Sequence, residues 1–206
     1  MCFLPRVYLP PSRLPHPATA FRMALLPTDR VRRNVSAAIA TAAQPALSIS
    51  TLTKFALGVM GQLRPRPAKG DARQTIKLPA PDKRGGVPLM LALARRRSAR
   101  EFAKRPLPLP VLSSLLWAAF GVNRRGGGRT APSAIDAQEI DVYVALPDGA
   151  YLYDARSHSL RLVAASDLRR VTGYQDFVDE APLDLVYVAD HSRMKMVPVG
   201  QRESYA

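Results

Sequence analysis

From residue 74 onward the apolar positions recur with periods that change along the chain, and each change marks an element. "TIKLPAPDKRGG" is interrupted by prolines, which predicts an extended arm ending in a Gly85-Gly86 turn. In "PLMLALARR", Leu89 and Leu93, and Met90 and Ala94, repeat four apart, so a helix is expected with Pro88 in its first turn. A second helix is expected from near Pro110 in "LPVLSSLLWAAFG". It presents Val111, Leu112, Leu115, Leu116 and Ala119 inward, with Trp117 as packing and Gly121 as its stop. After a flexible "NRRGGGRTAPSA" connection the period becomes two. "EIDVYVAL" alternates Ile140, Val142, Val144 and Leu146 with Asp141, Tyr143 and Ala145. The turn Pro147-Asp148-Gly149 and a second strand "AYLYDA" follow, predicting a hairpin that "SLRLVA" extends. Polar helical pieces are expected at "SDLRRVTG" and "QDFVDEA", then a buried strand "LDLVYVAD" bounded by Pro182 and Asp190. The mixture defines an α+β layered domain. The 16 residues after Asp190 are too few for a crossover helix and a further parallel strand, so the sheet is expected to be incomplete. "QRESYA" reads as the opening of a helix.

The first 73 residues have a different texture, with clustered prolines ("LPPSRLPHP", "LRPRPAKG") and Ala and Ser tracts without a sustained apolar period. The chain carries a formal charge of +14, and its distribution sharpens that boundary. Residues 1–70 hold 10 Lys and Arg against the single acid Asp29, whereas residues 71–206 hold 20 against 15. Residues 1–73 are therefore expected to lie outside the folded domain of 74–206. They read as a disordered extension, as upstream sequence ahead of a start at Met23 or Met60, or as a targeting segment, "VRRNVSAAIATAAQPA" being a weak match to a twin-arginine export signal. Cytoplasmic residence follows from the first two readings and periplasmic export from the third. Cys2 is the only cysteine, which excludes an intramolecular disulfide and thiolate metal clusters. His16, His158 and His191 show no ligand spacing and are read as exposed or turn residues. No run approaches the ~18 apolar residues of a membrane span.

The candidate chemistry begins at "ALARRRSAREF", where Arg96, Arg97, Ser98 and Arg100 bracket one turn at a helix end. Guanidinium forks make paired hydrogen bonds to phosphate oxygens, and two or three could converge on one anion with the serine hydroxyl. Cations at a helix C-terminus also complement the helix dipole, for about 0.3–1 kcal/mol each, so spacing alone leaves both roles open. "RRGGGR" lacks the lysine-serine ending of a P-loop and reads as a connection.

Taken jointly, "LARRRSAREF", "LSSLLWAAFGVNR", "RTAPSA" and the strand that follows resemble the nitroreductase superfamily of flavin enzymes, and look closest to its SagB/ThcOx-type dehydrogenase branch. The resemblance covers about residues 74–206. It implies a layered fold with a central, mainly antiparallel sheet flanked by helices, shortened at the C-terminus relative to the family. It also implies FMN as cofactor, with Arg96, Arg97, Ser98 and Arg100 clasping the phosphate. Pro132, Ser133, Ala134, Asp136 and Gln138 would line the isoalloxazine ring and ribityl chain. Asp136 stands where family members often carry asparagine, and a carboxylate there would oppose the negative charge of reduced flavin. The family is generally homodimeric, with flavin at the subunit interface and C-terminal elements exchanged.

The function so implied is hydride transfer from NAD(P)H through FMN to a nitroaromatic or quinone-like acceptor, or dehydrogenation of a small organic or peptide-borne ring. The cofactor carries such chemistry, so no side chain is assigned as catalytic. A second reading is a flavin-free remnant or interaction module. A third, nucleic-acid binding through the basic excess, is disfavoured because no stacking aromatics interleave the arginines and no recognition motif appears.

Overall fold

The computed structural model describes residues 49–205. Expectations for residues 1–48, the export signal and Met23 among them, lie outside the described residues. The elements are α1 (Ile49–Val59), β1 (Arg66–Pro67), β2 (Thr75–Lys77), α2 (Leu89–Arg95), α3 (Leu109–Phe120), β3 (Ile140–Leu146), β4 (Gly149–Asp154), β5 (Ser159–Ala164), β6 (Ser166–Asp167), α4 (Arg169–Thr172), α5 (Asp176–Glu180), β7 (Asp184–Ala189) and α6 (Arg202–Tyr205). A five-stranded sheet in the order β2-β5-β4-β3-β7 is antiparallel throughout, and β1 pairs with β6 in a separate ribbon.

Period-two alternation generates this sheet. The β3–β4 hairpin closes on Pro147-Asp148 with Leu146 opposite Gly149 and Val144 opposite Tyr151. Val142 and Val144 pack with Tyr151, Tyr153 and Leu160, and Leu112 and Leu116 of α3 close over them; Leu116, Val144, Tyr151 and Leu160 are fully buried. Ala145 and Ala150 point the other way and meet Leu168 and Val171. The sheet is thus covered on both faces, which is the α+β layering that the alternation predicts.

One helix face departs from expectation, and a second apolar face stands uncovered. In α3 only one narrow face is buried, and Val111 and Leu115, expected inward, are exposed. In α2 no residue is buried, with Leu89, Met90 and Leu93 more than half exposed. Helical spacing reports an apolar face but not whether anything in the same chain covers it. The strand "LDLVYVAD" is also corrected. β7 lies at the sheet edge, pairs antiparallel with β3 only, and is half-buried except at the exposed Tyr187.

The boundary expected between residues 73 and 74 does not separate folded from unfolded chain. β1 pairs with β6 through Arg66 opposite Asp167, and the Lys69 amide donates to the Pro147 carbonyl at 2.8 Å. Helix α1 docks on the segment around α5. The buried Lys54 ammonium meets the Asp179 carboxylate, which also accepts from Arg66 at 3.0 Å. Ser50 and Thr51 donate to Asp176, and the Phe55 and Tyr174 rings meet edge-on at 5.2 Å. Gly58 is required for that fit, because a Cβ there would stand 2.2 Å from the Tyr174 ring. This docking rests on polar side chains, one aromatic pair and one glycine, which leave no sustained apolar period to read.

A second polar network ties the arm after β2 to the sheet. Ser113, fully buried on α3, donates its single proton to the Pro79 carbonyl at 2.5 Å and lies 2.7 Å from His158 Nε2. Nε2 therefore carries the imidazole proton, and Nδ1 accepts from the Tyr153 hydroxyl at 2.9 Å. Burial holds the His158 pKa below its ordinary value. The network has the ingredients of a serine-histidine pair, but the Ser113 proton is committed to the Pro79 carbonyl and the half-buried His158 is held between Ser113 and Tyr153, which makes the network structural.

Candidate functional site

The site is built at the end of the sheet where α3 hands over to β3. The α3 helix ends at Phe120, and Gly121 continues in extended backbone. Residues 122–129 then form a small closed turn. Val122 bridges to Arg129, Asn123 N–H donates to the Gly128 carbonyl at 3.1 Å, and Gly127 sits at φ 85°. The stretch expected to be a flexible connection is laced instead. Arg124 donates to the Arg129 carbonyl, Arg129 donates to the Ile140 carbonyl at 3.2 Å, and Thr130 donates to the Trp117 carbonyl. The Arg129 guanidinium lies 5.6 Å over the Phe120 ring, an arrangement favourable to the cation.

The chain then crosses to β3 through a strained loop. Ile135, Asp136 and Gln138 have φ of 52°, 53° and 48°, in the left-handed region that side-chain-bearing residues avoid. Each such residue costs about 1–3 kcal/mol, and a β-branched residue like Ile135 is the least suited. The conformation persists because it is held. Ser133 Oγ accepts from the Gln138 amide at 2.8 Å and donates to Glu139 Oε2 at 2.7 Å. The Gln138 side-chain amide donates to Asp136 Oδ1 at 3.1 Å, and Arg193 Nη1 donates to the Gln138 carbonyl at 3.0 Å. The Arg193 fork also grips Asp141 at 2.8 and 2.7 Å, which raises the pKa of the guanidinium further.

This loop walls two adjoining hollows of about 550 and 570 Å³. Both are lined by Phe120, Pro132, Ser133, Glu139 and Ile140. Arg124, Arg129, Asp136 and Gln138 border the first, and Ala134 and Tyr187 the second. The Phe120 and Tyr187 rings lie 5.9 Å apart, and desolvation raises the Tyr187 pKa above its ordinary value. Flat apolar walls, a few convergent polar groups and fixed positive charge suit a planar aromatic ligand with polar edges.

The structure brings together Pro132, Ser133, Ala134, Asp136 and Gln138, all on that wall. It leaves Arg96, Arg97, Ser98 and Arg100 elsewhere in the same chain. All are exposed and none borders either hollow. They do not complete a helical turn, since α2 ends at Arg95 and Arg96 is extended at φ −61°, ψ 122°. Arg100 lies 5.8 Å over the Phe177 ring, and none of these arginines is paired with a carboxylate among the described residues. Phe120, Arg124, Arg129, Glu139 and Tyr187 border the hollows without having been singled out from sequence. Glu139 was hidden because its place in the alternation put it with Asp141 and Tyr143 on the polar side of β3. The "AIDAQE" stretch held one usable signal, Asp136, a residue type that tolerates left-handed backbone. Among the described residues no cluster of three or more His, Cys, Asp or Glu could hold a metal ion.

An antiparallel sheet covered on both faces, with a hollow under a strained loop at the α3–β3 junction, defines an α+β domain. Residues 93–205 match the model of the nitroreductase family, and the chain belongs to that family. It is 33% identical over 115 residues to a candidate nitroreductase of Methanocaldococcus jannaschii, covering 51% of this chain and 58% of that protein. It is also 33% identical over 111 residues to the trifolitoxin-processing protein TfxF of Rhizobium leguminosarum bv. trifolii, covering 47% of this chain and 40% of that protein. The chain thus spans about half the length of these curated relatives. The crystal structure of a candidate nitroreductase from Ralstonia eutropha JMP134 superposes with a TM-score of 0.65 at 58% identity, covering 69% of each chain. No helix among the described residues is long and apolar enough to cross a membrane.

Proposed function

We propose that this chain is an FMN-dependent oxidoreductase that binds the flavin ring in the hollow beneath the 132–139 loop. The observation that carries the reading is that loop. Residues expected to line the ring converge there in a backbone conformation too costly to persist without a use. FMN, when bound, supplies the hydride-accepting chemistry. The chain's own residues do the rest. Phe120, Pro132 and Ile140 give apolar walls that exclude water. Arg129, fixed by Phe120 and the Ile140 carbonyl, keeps positive charge at the rim, suited to a ring that gains negative charge on reduction. Both Gln138 amide hydrogens face protein oxygens, Asp136 Oδ1 at 3.1 Å and the Gly127 carbonyl at 3.4 Å, which leaves the side-chain oxygen to accept from a ligand. Asp136 lends its carboxylate to Gln138, which offsets part of the repulsion expected toward reduced flavin.

Arg96, Arg97, Ser98 and Arg100 form the phosphate clasp in this reading, supplied to the ring wall by a second copy of the chain. The support is twofold: they do not border the hollow of their own chain, and α2, which precedes them, presents Leu89, Met90 and Leu93 uncovered. NAD(P)H is the donor. A nitroaromatic, a quinone, or a small organic or peptide-borne ring undergoing dehydrogenation is the partner substrate, the SagB/ThcOx-type reaction being the oxidative form. Purified full-length protein that is yellow, dimeric and oxidises NAD(P)H with a nitroaromatic acceptor supports the proposal. Colourless protein that takes up no FMN on reconstitution overturns it in favour of a flavin-free module.

A further inference from the structure

We propose that Glu139 is a positioning residue: acting through Ser133, it holds the left-handed loop in the shape that walls the cavity. Glu139 is the last loop residue before β3 and is tied to the edge of the sheet. Its carbonyl accepts from the Asp190 amide at 2.7 Å, and the next residue, Ile140, pairs with Ala189 of β7. Its carboxylate is carried into the interior, with 4% of the residue exposed. Ser133 sits on the opposite arm of the loop and has one proton to give. That proton goes to Glu139, and a lone pair of the same oxygen receives the Gln138 amide.

The result is a directed chain of donors, from the Gln138 N–H to the Ser133 hydroxyl to the buried carboxylate. A hydrogen bond that ends on a charge is stronger than a neutral one and polarises the bond behind it. The remaining hydrogen bonds among loop backbone groups, from Asp136 N–H to the Ser133 carbonyl at 3.3 Å and from Ala137 N–H to the Ala134 carbonyl at 3.1 Å, are internal and transmit nothing from the sheet. The Gln138 peptide is therefore fixed on its amide side by Glu139 through Ser133 and on its carbonyl side by Arg193, itself held by Asp141. Without the first, the Gln138 amide is released, only the Arg193 hold on its carbonyl remains, and the left-handed residues relax.

The effect on the loop stands by itself, whereas the effect on cofactor affinity rests on the flavin reading above. The test measures two quantities on the full chain: amide hydrogen exchange at Gln138, and FMN affinity by quenching of flavin fluorescence. Glu139→Ala and Ser133→Ala are expected to speed Gln138 exchange by about 10- to 100-fold, the worth of one or two such hydrogen bonds, with β3 and β4 amides unchanged. Glu139→Gln keeps an acceptor oxygen for Ser133 and should restore exchange to within about threefold of the wild type. FMN affinity should follow the same order. Gln138 exchange unaltered in Ser133→Ala, which removes one oxygen and spares the fold, overturns the proposal. So does Glu139→Gln exchanging as fast as Glu139→Ala. A wild type that binds no FMN while Gln138 exchange responds as expected sinks the flavin reading and leaves the positioning role intact.

Discussion

The cations packed against the sheet and the cations that follow α2 are put to opposite uses. Lys54 is buried against Asp179, and Arg169 is buried in a fork on Asp167 at 2.9 and 2.7 Å while donating to the Ala181 carbonyl. Arg193 ties Asp141 to the loop. Each joins elements that are distant in sequence or closes a turn, and each has its charge neutralised in place. Arg96, Arg97 and Arg100 neutralise nothing within the described chain and stand in water. Charge alone therefore says little about a residue's task. The informative quantity is whether the fold already supplies the counter-ion.

That contrast can be broken from either side. The largest effect is expected from Lys54→Met, which leaves Asp179 buried with Arg66 alone. Removing one partner of a buried pair costs about 3–5 kcal/mol, here toward the lower figure, and thermal melting should fall by roughly 10 °C. The double change Arg96→Gln with Arg100→Gln should do the reverse. FMN affinity in a fluorescence titration should drop by about 100-fold, for charge-assisted bonds lost. Melting of the flavin-free protein should stay within about 1 °C, as for other exposed substitutions.

A smaller effect tests what happens to an acid whose neighbouring cation is already committed. Burial pushes the Asp184 carboxyl up to about 6, and Arg169 beside it is held by Asp167. Because the folded state holds this proton more tightly than the unfolded chain does, stability should decline as pH climbs from about 4 to about 6, by about 1–3 kcal/mol. Asp184→Asn should flatten that slope in denaturant titrations repeated across the range. The smallest effect is expected from Asp136→Asn, which can still accept from Gln138 while gaining an N–H for the ligand. FMN binding should tighten by about threefold, read by the same fluorescence titration.

Much of the framework was legible because side-chain periodicity is a local property. The β3–β4 hairpin and α3 follow from the spacing of Val142, Val144, Tyr151, Leu112 and Leu116, β5 from the alternation in "SLRLVA", and the start of α6 from "QRESYA". What periodicity cannot carry is the identity of the covering surface. Hence Val111 and Leu115 read as inward-facing and are exposed, and the apolar spacing of α2 did not disclose that its face is uncovered. Nor does it carry polar docking, so the attachment of α1 through Lys54, Ser50 and Thr51 left no pattern. The residues proposed to line the flavin ring came from the resemblance of a few motifs. Their backbone was not foreseeable, because Ile135 and Gln138 are ordinary residues forced into left-handed geometry by partners at 133, 139 and 193.

The seat of Gly58 against Tyr174 bears on gene annotation and on cloning. A ribosome initiating at Met60 would make a polypeptide without the lysine that neutralises Asp179, with the face of Tyr174 laid bare to solvent. Such a product would start life with Asp179 facing the half-exposed Arg66 alone, so any expression plasmid for this protein should encode at least the whole of the preceding helix.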